Sequence, residues 1–467
     1  MLVQRIYDED LSQAAWLIGC QTTGEALIID PERDVCRYLE AAEKEGLKIT
    51  AITETHIHAD FLSGTAELAA ATNATCYLSK CGGPDWLYSW PDRSNADVVF
   101  VGDGEEIQVG SIRVKVFHTP GHTPEHLSFV VYDAGRSEPI GIATGDFIFV
   151  GDLGRPDLLE TAAGVKGAMQ NSARVLYKTC QRLQDLPDYI QVWPAHGAGS
   201  ACGKALGAVP QSTLGYEKRT SPPLQLLEHE ESFIEFMLTG QPEPPLYFAR
   251  MKRMNRDGCP LLGGLPKPEK ITDSQALREK ALHAVVIDTR GWELVRDGHL
   301  PNTIWSKPTN DFHRFAGSFV EDTEDILLVV TEEELDRTLR NAVRIGLERI
   351  IGWVEPSLLE GMDGLETLQE LSASQLREQE EYSVLDVRRK LEFQDGAIDG
   401  ALNIAHTRLM EQIDQLDPER EWVLNCHGGS RSAAACMALK RKGFHVTNLA
   451  GGYKGWIADR GTCVASS

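Results

Sequence analysis

The chain has 467 residues, of which 42% are hydrophobic and 25% are charged. This composition is ordinary for a globular protein and excludes a fibrous or mainly disordered chain, and at about 150 residues per domain the length predicts about three domains. The 46 basic and 69 acidic residues give a formal net charge of −23, which argues against a nucleic-acid partner because affinity for phosphate backbones depends on clustered Lys and Arg.

Two features of the sequence predict a cytoplasmic protein. The first residues, MLVQRIYDEDLSQAAWLIG, lack the basic start and apolar core of a signal peptide, and no run of about 18 apolar residues is available to cross a membrane. The ten cysteines form no C-x-x-C pair, so we expect neither a zinc ribbon nor a disulfide scaffold, and the thiols are predicted to be reduced. A membrane is likewise not expected among the partners.

The first 240 residues alternate short β-branched runs with helical segments, which predicts one mixed α/β domain over 1–240. The clearest predicted strands are Ala26–Asp30, Ile49–Thr53, Ile112–Phe117 and Phe129–Tyr132. A stretch with six prolines follows over 241–270. This composition predicts a linker, although its aromatic and basic residues indicate that part of it packs on a neighbour.

An internal repeat follows the predicted linker. The segment VIDTRGWELVRDGHLPNTIW from Val286 is matched by VLDVRRKLEFQDGAIDGALNI from Val384, with Asp288 opposite Asp386. Each copy reads as strand, Asp-x-Arg turn, helix, strand, loop, helix and strand, which predicts a small doubly wound α/β domain. We predict these domains over 271–365, the first repeat, and 370–467, the second repeat.

Six of the thirteen histidines lie where predicted strands give way to loops. They occur in THIHAD (55–60), HTPGHTPEH (118–126) and PAHG (194–197), and TGD (144–146) adds a carboxylate at a similar position. A metal ion needs imidazoles and carboxylates that converge from several loops, and these segments supply that set. The sequence therefore predicts a metal site at the ends of the strands.

In this order and spacing the motifs resemble the metallo-β-lactamase superfamily, whose fold is an αββα sandwich with metal at the strand ends. Hydrolases of that superfamily usually show H-x-H-x-D-H and bind two metals, whereas Phe61 stands at the last position here. The sequence GRPDL at 154–158 resembles the persulfide dioxygenase branch. That resemblance implies one Fe(II) per chain held by His56, His122 and Asp146, with O2 as co-substrate. Two imidazoles and one carboxylate leave three coordination positions open for reactants.

The same resemblance places His58, Asp60 and His196 around the metal, where hydrogen bonds from them orient water, substrate or the ligands. Arg155 is predicted to bind a carboxylate of the thiol carrier, and a structural salt bridge to Asp157 is the equal alternative. The roles of these three residues and of Arg155 depend on how the loops that carry them meet in the folded protein.

Two further cysteines are candidates for handling sulfur. Cys202 lies six residues after His196 in a run of small residues that lets a substrate approach the backbone closely. Cys20 ends a strand-like segment. For both, the alternative is a buried cysteine that packs as a small hydrophobe.

The second repeat contains the glycine-rich loop NCHGGSRS, between a predicted strand and a predicted helix. Backbone N–H groups of such a loop bind anions and favour a thiolate, so Cys426 is predicted to be a nucleophile and Arg431 to close the cradle. The residues between them are predicted to bind substrate: His427, Gly428, Gly429 and Ser430. The spacing C-x4-R, rather than the C-x5-R of phosphatase-type loops, resembles a rhodanese sulfurtransferase, which implies a persulfide on Cys426.

The first repeat lacks this chemistry. Thr331 faces the position of Cys426, and three glutamates follow it. Negative charge there repels a thiolate or sulfite. We expect this copy to be a degenerate rhodanese domain that serves as a spacer or docking module.

The whole chain resembles bacterial fusions of a persulfide dioxygenase with rhodanese. The resemblance implies oxidation of a low-molecular-weight thiol persulfide by O2 to sulfite and thiol, coupled to sulfane-sulfur transfer by Cys426. That transfer either loads the carrier thiol from thiosulfate or passes sulfur to sulfite. A homo-oligomer, dimer or tetramer, is expected. The alternatives are a thioester hydrolase of the glyoxalase-II type with an attached sulfurtransferase, and a sulfide-responsive interaction protein that holds no metal.

Overall fold

The structure is a computed structural model that describes residues 1–161 and 167–462. The chain divides into two compact units. Unit 1 comprises Met1–Leu265 with Val343–Ile345, and unit 2 comprises Pro266–Ala342 with the chain from Gly346 onward. Residues 463–467, at the end of the last predicted domain, lie outside the described residues. No helix in the described ranges has the length and apolar character needed to cross a membrane.

Unit 1 contains twelve strands and eight helices among its described residues. They are β1 (Leu2–Asp8), β2 (Gln13–Cys20), β3 (Glu25–Ile29), α1 (Cys36–Lys44), β4 (Lys48–Thr53), α2 (Thr65–Thr72), β5 (Thr75–Ser79), β6 (Val98–Val101), β7 (Glu106–Val109), β8 (Ile112–His118), β9 (Leu127–Tyr132), β10 (Gly141–Gly145), α3 (Leu158–Thr161), α4 (Ala168–Gln181), β11 (Gln191–Pro194), β12 (Ser212–Thr213), α5 (Leu214–Thr220), α6 (Pro222–Gln225), α7 (Glu230–Leu238) and α8 (Tyr247–Asp257).

These strands form two six-stranded mixed sheets, in the orders β1-β2-β3-β4-β5-β6 and β12-β11-β10-β9-β8-β7. Strand β2 shows how the layers stack, because successive side chains of a strand point to opposite faces. Trp16 and Ile18 enter the core between the sheets, whereas Ala15 and Leu17 enter the core beneath α1 and α2. A third core joins the outer face of the second sheet to α4 and α7. The layers are therefore α, β, β and α, and the predicted sandwich is confirmed.

The segment 241–270, predicted as a linker, is ordered over much of its length. It contains α8, and the chain belongs to unit 1 as far as Leu265. Tyr247, Phe248 and Met251 of this helix are buried, and Asn255 donates from its amide to the carbonyls of His58 and Phe61. Aromatic and apolar residues at helical spacing account for the difference from the expected linker, because they bury a helix face that proline content alone does not reveal.

Unit 2 contains nine strands and eight helices among its described residues. They are α9 (Ser274–Ala281), β13 (Val285–Asp288), α10 (Trp292–Asp297), β14 (Thr303–Trp305), α11 (Phe312–Phe319), β15 (Ile326–Val329), α12 (Glu332–Arg344), β16 (Ile350–Val354), β17 (Glu370–Leu371), α13 (Ala373–Arg377), β18 (Ser383–Asp386), α14 (Lys390–Gln394), β19 (Leu402–Asn403), β20 (Trp422–Asn425), α15 (Ser430–Arg441), β21 (Val446–Leu449) and α16 (Gly452–Thr462).

The two repeats have the same strand order. The first sheet runs β14-β13-β15-β16, and the second, taken from its other edge, runs β19-β18-β20-β21-β17. Every strand pair in both sheets is parallel. Helices connect the strands, as parallel pairing requires. Because the carboxyl ends of parallel strands meet at one edge, the turn after β20 and the turn after β18 lie side by side.

Candidate metal centre and cysteine loop

The histidine segments meet at one edge of the sandwich in unit 1. His56 and His58 follow β4, the 118–126 segment joins β8 to β9, Asp146 follows β10, and His196 follows β11. Residues Gln13 and His196 form an isolated bridge between the two sheets at this edge. The strand ends therefore bring distant parts of the sequence to a single place, as the motifs predicted.

The first group of candidate ligands consists of His56, His122 and Asp146. One ligand atom from each lies within 4.8 Å of the others, and all three side chains are buried. The rings of His56 and His122 are 4.9 Å apart in an edge-on arrangement, and His122 Nε2 lies 3.5 Å from Asp146 Oδ2. This is the set that the sequence predicted to hold the metal.

Hydrogen bonds fix the orientation of both imidazoles. His122 Nδ1–H donates to the Arg155 carbonyl at 2.9 Å, which leaves Nε2 facing the centre. His56 Nδ1 lies 3.0 Å from Thr55 Oγ1. Thr55 in turn donates from its backbone N–H and its hydroxyl to the Asp30 carboxylate, at 2.6 and 2.9 Å. Such partners set the tautomer and direction of metal-binding histidines.

The electrostatics of the group suit a bound cation. Burial, reinforced by neighbouring histidines, lowers the pKa of His56, and burial lowers the pKa of His122 to about 3, so both rings are neutral. Burial raises the pKa of Asp146 to about 6, and within the described residues neither of its oxygens has a hydrogen-bond partner. Because buried carboxylates are nearly always paired, these orphaned oxygens fit a metal ion.

A second group lies beside the first. Ligand atoms of Asp60, His196 and Cys202 also fall within 4.8 Å of one another, and all three residues are buried. His196 Nε2 lies 3.2 Å from Asp60 Oδ2 and 3.3 Å from Asp146 Oδ1. The Asp146 carboxylate thus stands between the two groups. Burial, followed by the two carboxylates, raises the pKa of Cys202 well above its usual value, which keeps the thiol protonated unless a cation is bound.

His58 lies beside the first group, with its ring 4.2 Å from the ring of His56. Its Nε2 lies 3.0 Å from Asp30 Oδ1, and its ring lies 4.3 Å from the ring of Phe61. Burial lowers the pKa of His58, but the Asp30 carboxylate outweighs burial and raises it to about 9. Phe61, at the position of a histidine in the hydrolase motif, is buried and packs where it offers no ligand atom.

The sequence analysis assigned no role to two residues that position groups of the candidate metal centre. His126 Nε2 accepts the Asp146 backbone N–H at 3.0 Å, and its Nδ1 lies 2.8 Å from Thr119 Oγ1. Asp30 binds both Thr55 and His58. His126 stood within the counted histidine motif but had no assigned role, and Asp30 ends the predicted strand ALIID with nothing in the sequence to link it to residues 55–58.

The Arg155 side chain is hydrogen-bonded to protein groups. It is buried, with Nε and Nη2 donating to the two Asp157 oxygens at 2.8 and 2.6 Å. Nη1 donates to the Ala201 carbonyl at 3.2 Å. Of the two alternatives, the salt bridge is the one that the structure contains, and a contact with the thiol carrier stays a prediction.

Cys20 lies far from the metal centre. Strand β2 begins at the bridge between Gln13 and His196 and ends at Cys20, which at about 3.3 Å per residue places the thiol roughly 23 Å away. Burial opposes ionisation, but hydrogen bonds from Ser111 and Thr23 lower the pKa of Cys20 to about 6. Of the two cysteines proposed to handle sulfur, only Cys202 lies at the centre.

The cysteine loop of unit 2 surrounds a buried thiol. Cys426 follows β20 and is 1% exposed, with Gly429 N–H donating to its Sγ at 3.1 Å and Ser432 Oγ at 3.5 Å. Gly429 has φ 105°, a left-handed conformation that requires glycine. His427, Gly428 and Ser430 are exposed along the loop. The N-terminus of α15 thus points at the sulfur, as predicted.

Arg431 is held by an acidic partner that the sequence did not reveal. Both terminal nitrogens donate to Glu392 of α14 at 2.7 Å. Burial opposes its charge, but Glu392 and then the Cys426 sulfur raise the pKa of Arg431. Burial opposes the charge on Glu392 as well, and Arg431 lowers that pKa to about 2. The guanidinium therefore lies between a carboxylate and the thiol.

Comparison with known proteins defines the class of protein. Residues 8–196 match the Metallo-beta-lactamase superfamily and residues 368–459 match the Rhodanese-like domain. A solved metallo-beta-lactamase of Staphylococcus aureus subsp. aureus COL is 40% identical with a TM-score of 0.68, over 76% of this chain and 99% of that one. The chain therefore belongs to the metallo-β-lactamase superfamily and carries a C-terminal rhodanese domain.

Particular relatives divide between two activities. A hydroxyacylglutathione hydrolase-like protein of Homo sapiens is 28% identical over 39% of this chain and 54% of its own length. The mitochondrial persulfide dioxygenase ETHE1 of Mus musculus is 25% identical over 51% of this chain and 80% of its own length. The chain thus spans about half the length of the human relative. These similarities establish a metal-binding superfamily fold and leave the reaction to be argued from the site.

Proposed function

We propose that unit 1 is a persulfide dioxygenase. The reaction is RSSH + O2 + H2O → RSH + sulfite + two protons, for a low-molecular-weight thiol RSH. The observation that carries the proposal is the group His56, His122 and Asp146, with Phe61 in place of a further ligand. One Fe(II) ion held there would supply open coordination positions for the persulfide and dioxygen and would mediate electron transfer from the sulfur to dioxygen.

The residues of the chain prepare this chemistry in three ways. Burial keeps His56 and His122 neutral, so that each offers a lone pair. The backbone hydrogen bond from Asp146 to His126 holds the carboxylate in place. The buried surroundings of the centre exclude bulk water, which protects an oxidised sulfur from side reactions.

We propose that the rhodanese domain transfers sulfane sulfur through Cys426. The N–H of Gly429 and the N-terminus of α15 stabilise negative charge on the attacking sulfur. Sulfite from unit 1 then accepts the sulfur and becomes thiosulfate, or thiosulfate loads Cys426 in the reverse direction. The strand register places Val330, and not Thr331 as expected from the sequence, at the position of Cys426. The first repeat is therefore proposed to be a degenerate rhodanese fold without a nucleophile.

Metal content and oxygen uptake test the proposal together. The purified chain should hold one iron, and it should consume oxygen when supplied with glutathione persulfide. His56→Ala should abolish that uptake and spare sulfur transfer from thiosulfate. Cys426→Ser should do the opposite. Zinc in place of iron, or oxygen uptake that survives His56→Ala, contradicts the dioxygenase assignment.

A thioester hydrolase is the second candidate, because Asp60, His196 and Cys202 form a further ligand group next to Asp146. With Asp146 close to both groups, these residues could hold two ions, as a dinuclear hydrolase site does. This candidate predicts two metal ions per chain, loss of one of them in Cys202→Ser, and hydrolysis of a glutathione thioester. One ion per chain that Cys202→Ser leaves in place excludes it.

A further inference from the structure

A buried histidine lies at the sheet edge that carries Cys426. The backbone N–H of His406 donates to the Val387 carbonyl at 3.0 Å, and the backbone N–H of Val387 donates to the Asn425 carbonyl at 2.9 Å. His406 is therefore two backbone hydrogen bonds from the residue before Cys426. Its side chain is 5% exposed, and across the described part of the chain neither ring nitrogen has a hydrogen-bond partner. Buried polar atoms are nearly always paired, so this ring indicates a ligand.

Three arginines act on the ring, of which Arg431 is paired with Glu392 and Arg314 with Asp311. Burial lowers the pKa of His406 to about 3, with further lowering by Arg431, Arg314 and Arg389, while the nearby Val387 carbonyl opposes them only in part. The imidazole is therefore neutral at pH 7 and keeps one N–H to donate. A neutral donor among guanidinium groups suits a small oxyanion, because each guanidinium presents several donors to the anion's oxygens.

Part of this environment comes from the first repeat. Helix α11 contacts the 3-10 turn His406–Arg408, and the Phe315 ring lies 5.7 Å from the His406 ring at 71°. Arg314 precedes Phe315 on the same helix and pairs with Asp311 at 3.1 Å. Both repeats belong to unit 2. The repeat without a cysteine thus borders the surroundings of His406.

We propose that His406 and Arg314, with Arg389 and Arg431, form an oxyanion subsite that binds the sulfonate group of thiosulfate or sulfite beside Cys426. The first repeat then has a function, which is to supply Arg314. This inference rests on the proposed sulfur transfer. It adds the residues that distinguish a sulfonate-bearing sulfur donor from other persulfides.

The transfer step shows why such a subsite is useful. The Cys426 thiolate attacks the outer sulfur of thiosulfate, a new S–S bond forms, and the S–S bond of thiosulfate breaks. Sulfite leaves with the electron pair of the broken bond, and Cys426 becomes a persulfide. Negative charge therefore grows on the departing sulfonate, where His406 and the arginines stabilise it.

Loading of Cys426 in the full-length protein tests the subsite. The reduced protein is incubated with increasing thiosulfate, and mass spectrometry measures the persulfide on Cys426. In Arg314→Gln and in His406→Gln we expect the thiosulfate concentration for half-maximal loading to rise about tenfold or more, as loss of a charge-assisted hydrogen bond to an anion implies. Loading from an alkyl hydropersulfide, which has no sulfonate, should change less than about twofold.

Matched variants separate recognition from structure. Arg349→Gln removes an exposed arginine of the same repeat, which pairs with Asp325 at 2.6 Å, and should leave thiosulfate loading unchanged. Asp311→Asn removes one carboxylate partner of Arg314 but keeps the guanidinium charge, and should not weaken thiosulfate loading. The rate of Cys426 alkylation by iodoacetamide verifies that the loop is intact in each variant.

The outcomes are distinguishable. Wild-type thiosulfate dependence in Arg314→Gln overturns the subsite, even if His406→Gln fails to fold. Equal losses with thiosulfate and with the hydropersulfide also overturn it, because they indicate damage to the loop. A wild-type chain that takes sulfur from neither donor refutes the proposed sulfurtransferase itself, and the subsite with it.

Discussion

The guanidinium of Arg155 forms an ion pair that is out of reach of solvent, directly behind a candidate metal ligand. The backbone carbonyl of Arg155 accepts the hydrogen bond from His122, and the Arg155 side chain pairs with both oxygens of Asp157. Arg155→Met keeps most of the side-chain length and removes the charge. The Asp157 carboxylate, which is 4% exposed, then remains buried beside an apolar group.

Removing one partner of a buried ion pair costs about 3–5 kcal/mol, because the other charge stays desolvated. In a domain of this size about 1 kcal/mol corresponds to roughly 2–4 °C, so we expect the melting temperature of unit 1 to fall by about 6–20 °C. The double variant Arg155→Met/Asp157→Leu removes the stranded charge as well and should recover most of the loss.

Calorimetry of the wild type and the two variants measures this loss and its recovery, and oxygen uptake at a temperature where all three proteins remain folded measures KM for persulfide. We expect KM to change less than about threefold, since both members of the pair are buried. Unchanged melting together with a tenfold higher KM would refute the structural role and restore Arg155 as a substrate ligand.

Three further predictions follow from single contacts. Gly154→Ala places a Cβ 1.7 Å from the Asp146 carbonyl, so the metal content measured by mass spectrometry should fall severalfold. The circular dichroism spectrum should stay native, and full metal occupancy would contradict this prediction. Glu392→Gln frees Arg431 from its carboxylate, which should speed Cys426 alkylation at pH 6 severalfold; an unchanged or slower rate would show that Arg431 does not act on the sulfur. Burial lowers the pKa of His299 to about 4 against about 6.5 when unfolded. The unfolded chain then binds more protons, so stability should decline by up to about 3 kcal/mol as pH falls from 6.5 to 4. His299→Gln should flatten that decline in urea titrations.

The motifs, together with the family resemblance, were sufficient to predict the members of the first group, because metal chemistry restricts the residue types and the family restricts their order. His56, His122 and Asp146 stand in three separate motifs, and the structure brings their ligand atoms within 4.8 Å. The groups that orient them obey no such rule. Asp30 and His126 act through space on residues in other loops, so their roles depend on a register that only the folded sheets define.

The two cysteines considered for sulfur handling show a similar limit. Cys20 and Cys202 are both buried, and neither stands in a diagnostic motif. Strand β2 runs from the metal edge to the opposite end of the sandwich, which separates Cys20 from the centre, whereas the turn after His196 returns Cys202 to it. The two cysteines therefore differ in position because of the direction in which the chain runs from the metal edge. The hydrophobic periodicity of the sequence does not specify that direction.

The Asp-x-Arg turns show which part of a motif carries the fold and which part carries the chemistry. In the second repeat Arg388 pairs with Asp386 and donates to the Gly396 carbonyl at 2.7 Å. In the first repeat Arg290 makes the equivalent contacts with Asp288 and the Gly298 carbonyl, the latter at 2.6 Å.

Because the pair is the same with and without a cysteine in the neighbouring loop, its function is to close the turn after the strand. An Asp-x-Arg match therefore predicts the fold alone. Activity depends on the residue after the adjacent strand, which is Cys426 in the second repeat and Val330 in the first. The proposed oxyanion subsite gives the first repeat a function without a nucleophile, because this repeat would supply Arg314 to the second repeat. The Arg314→Gln variant tests that function.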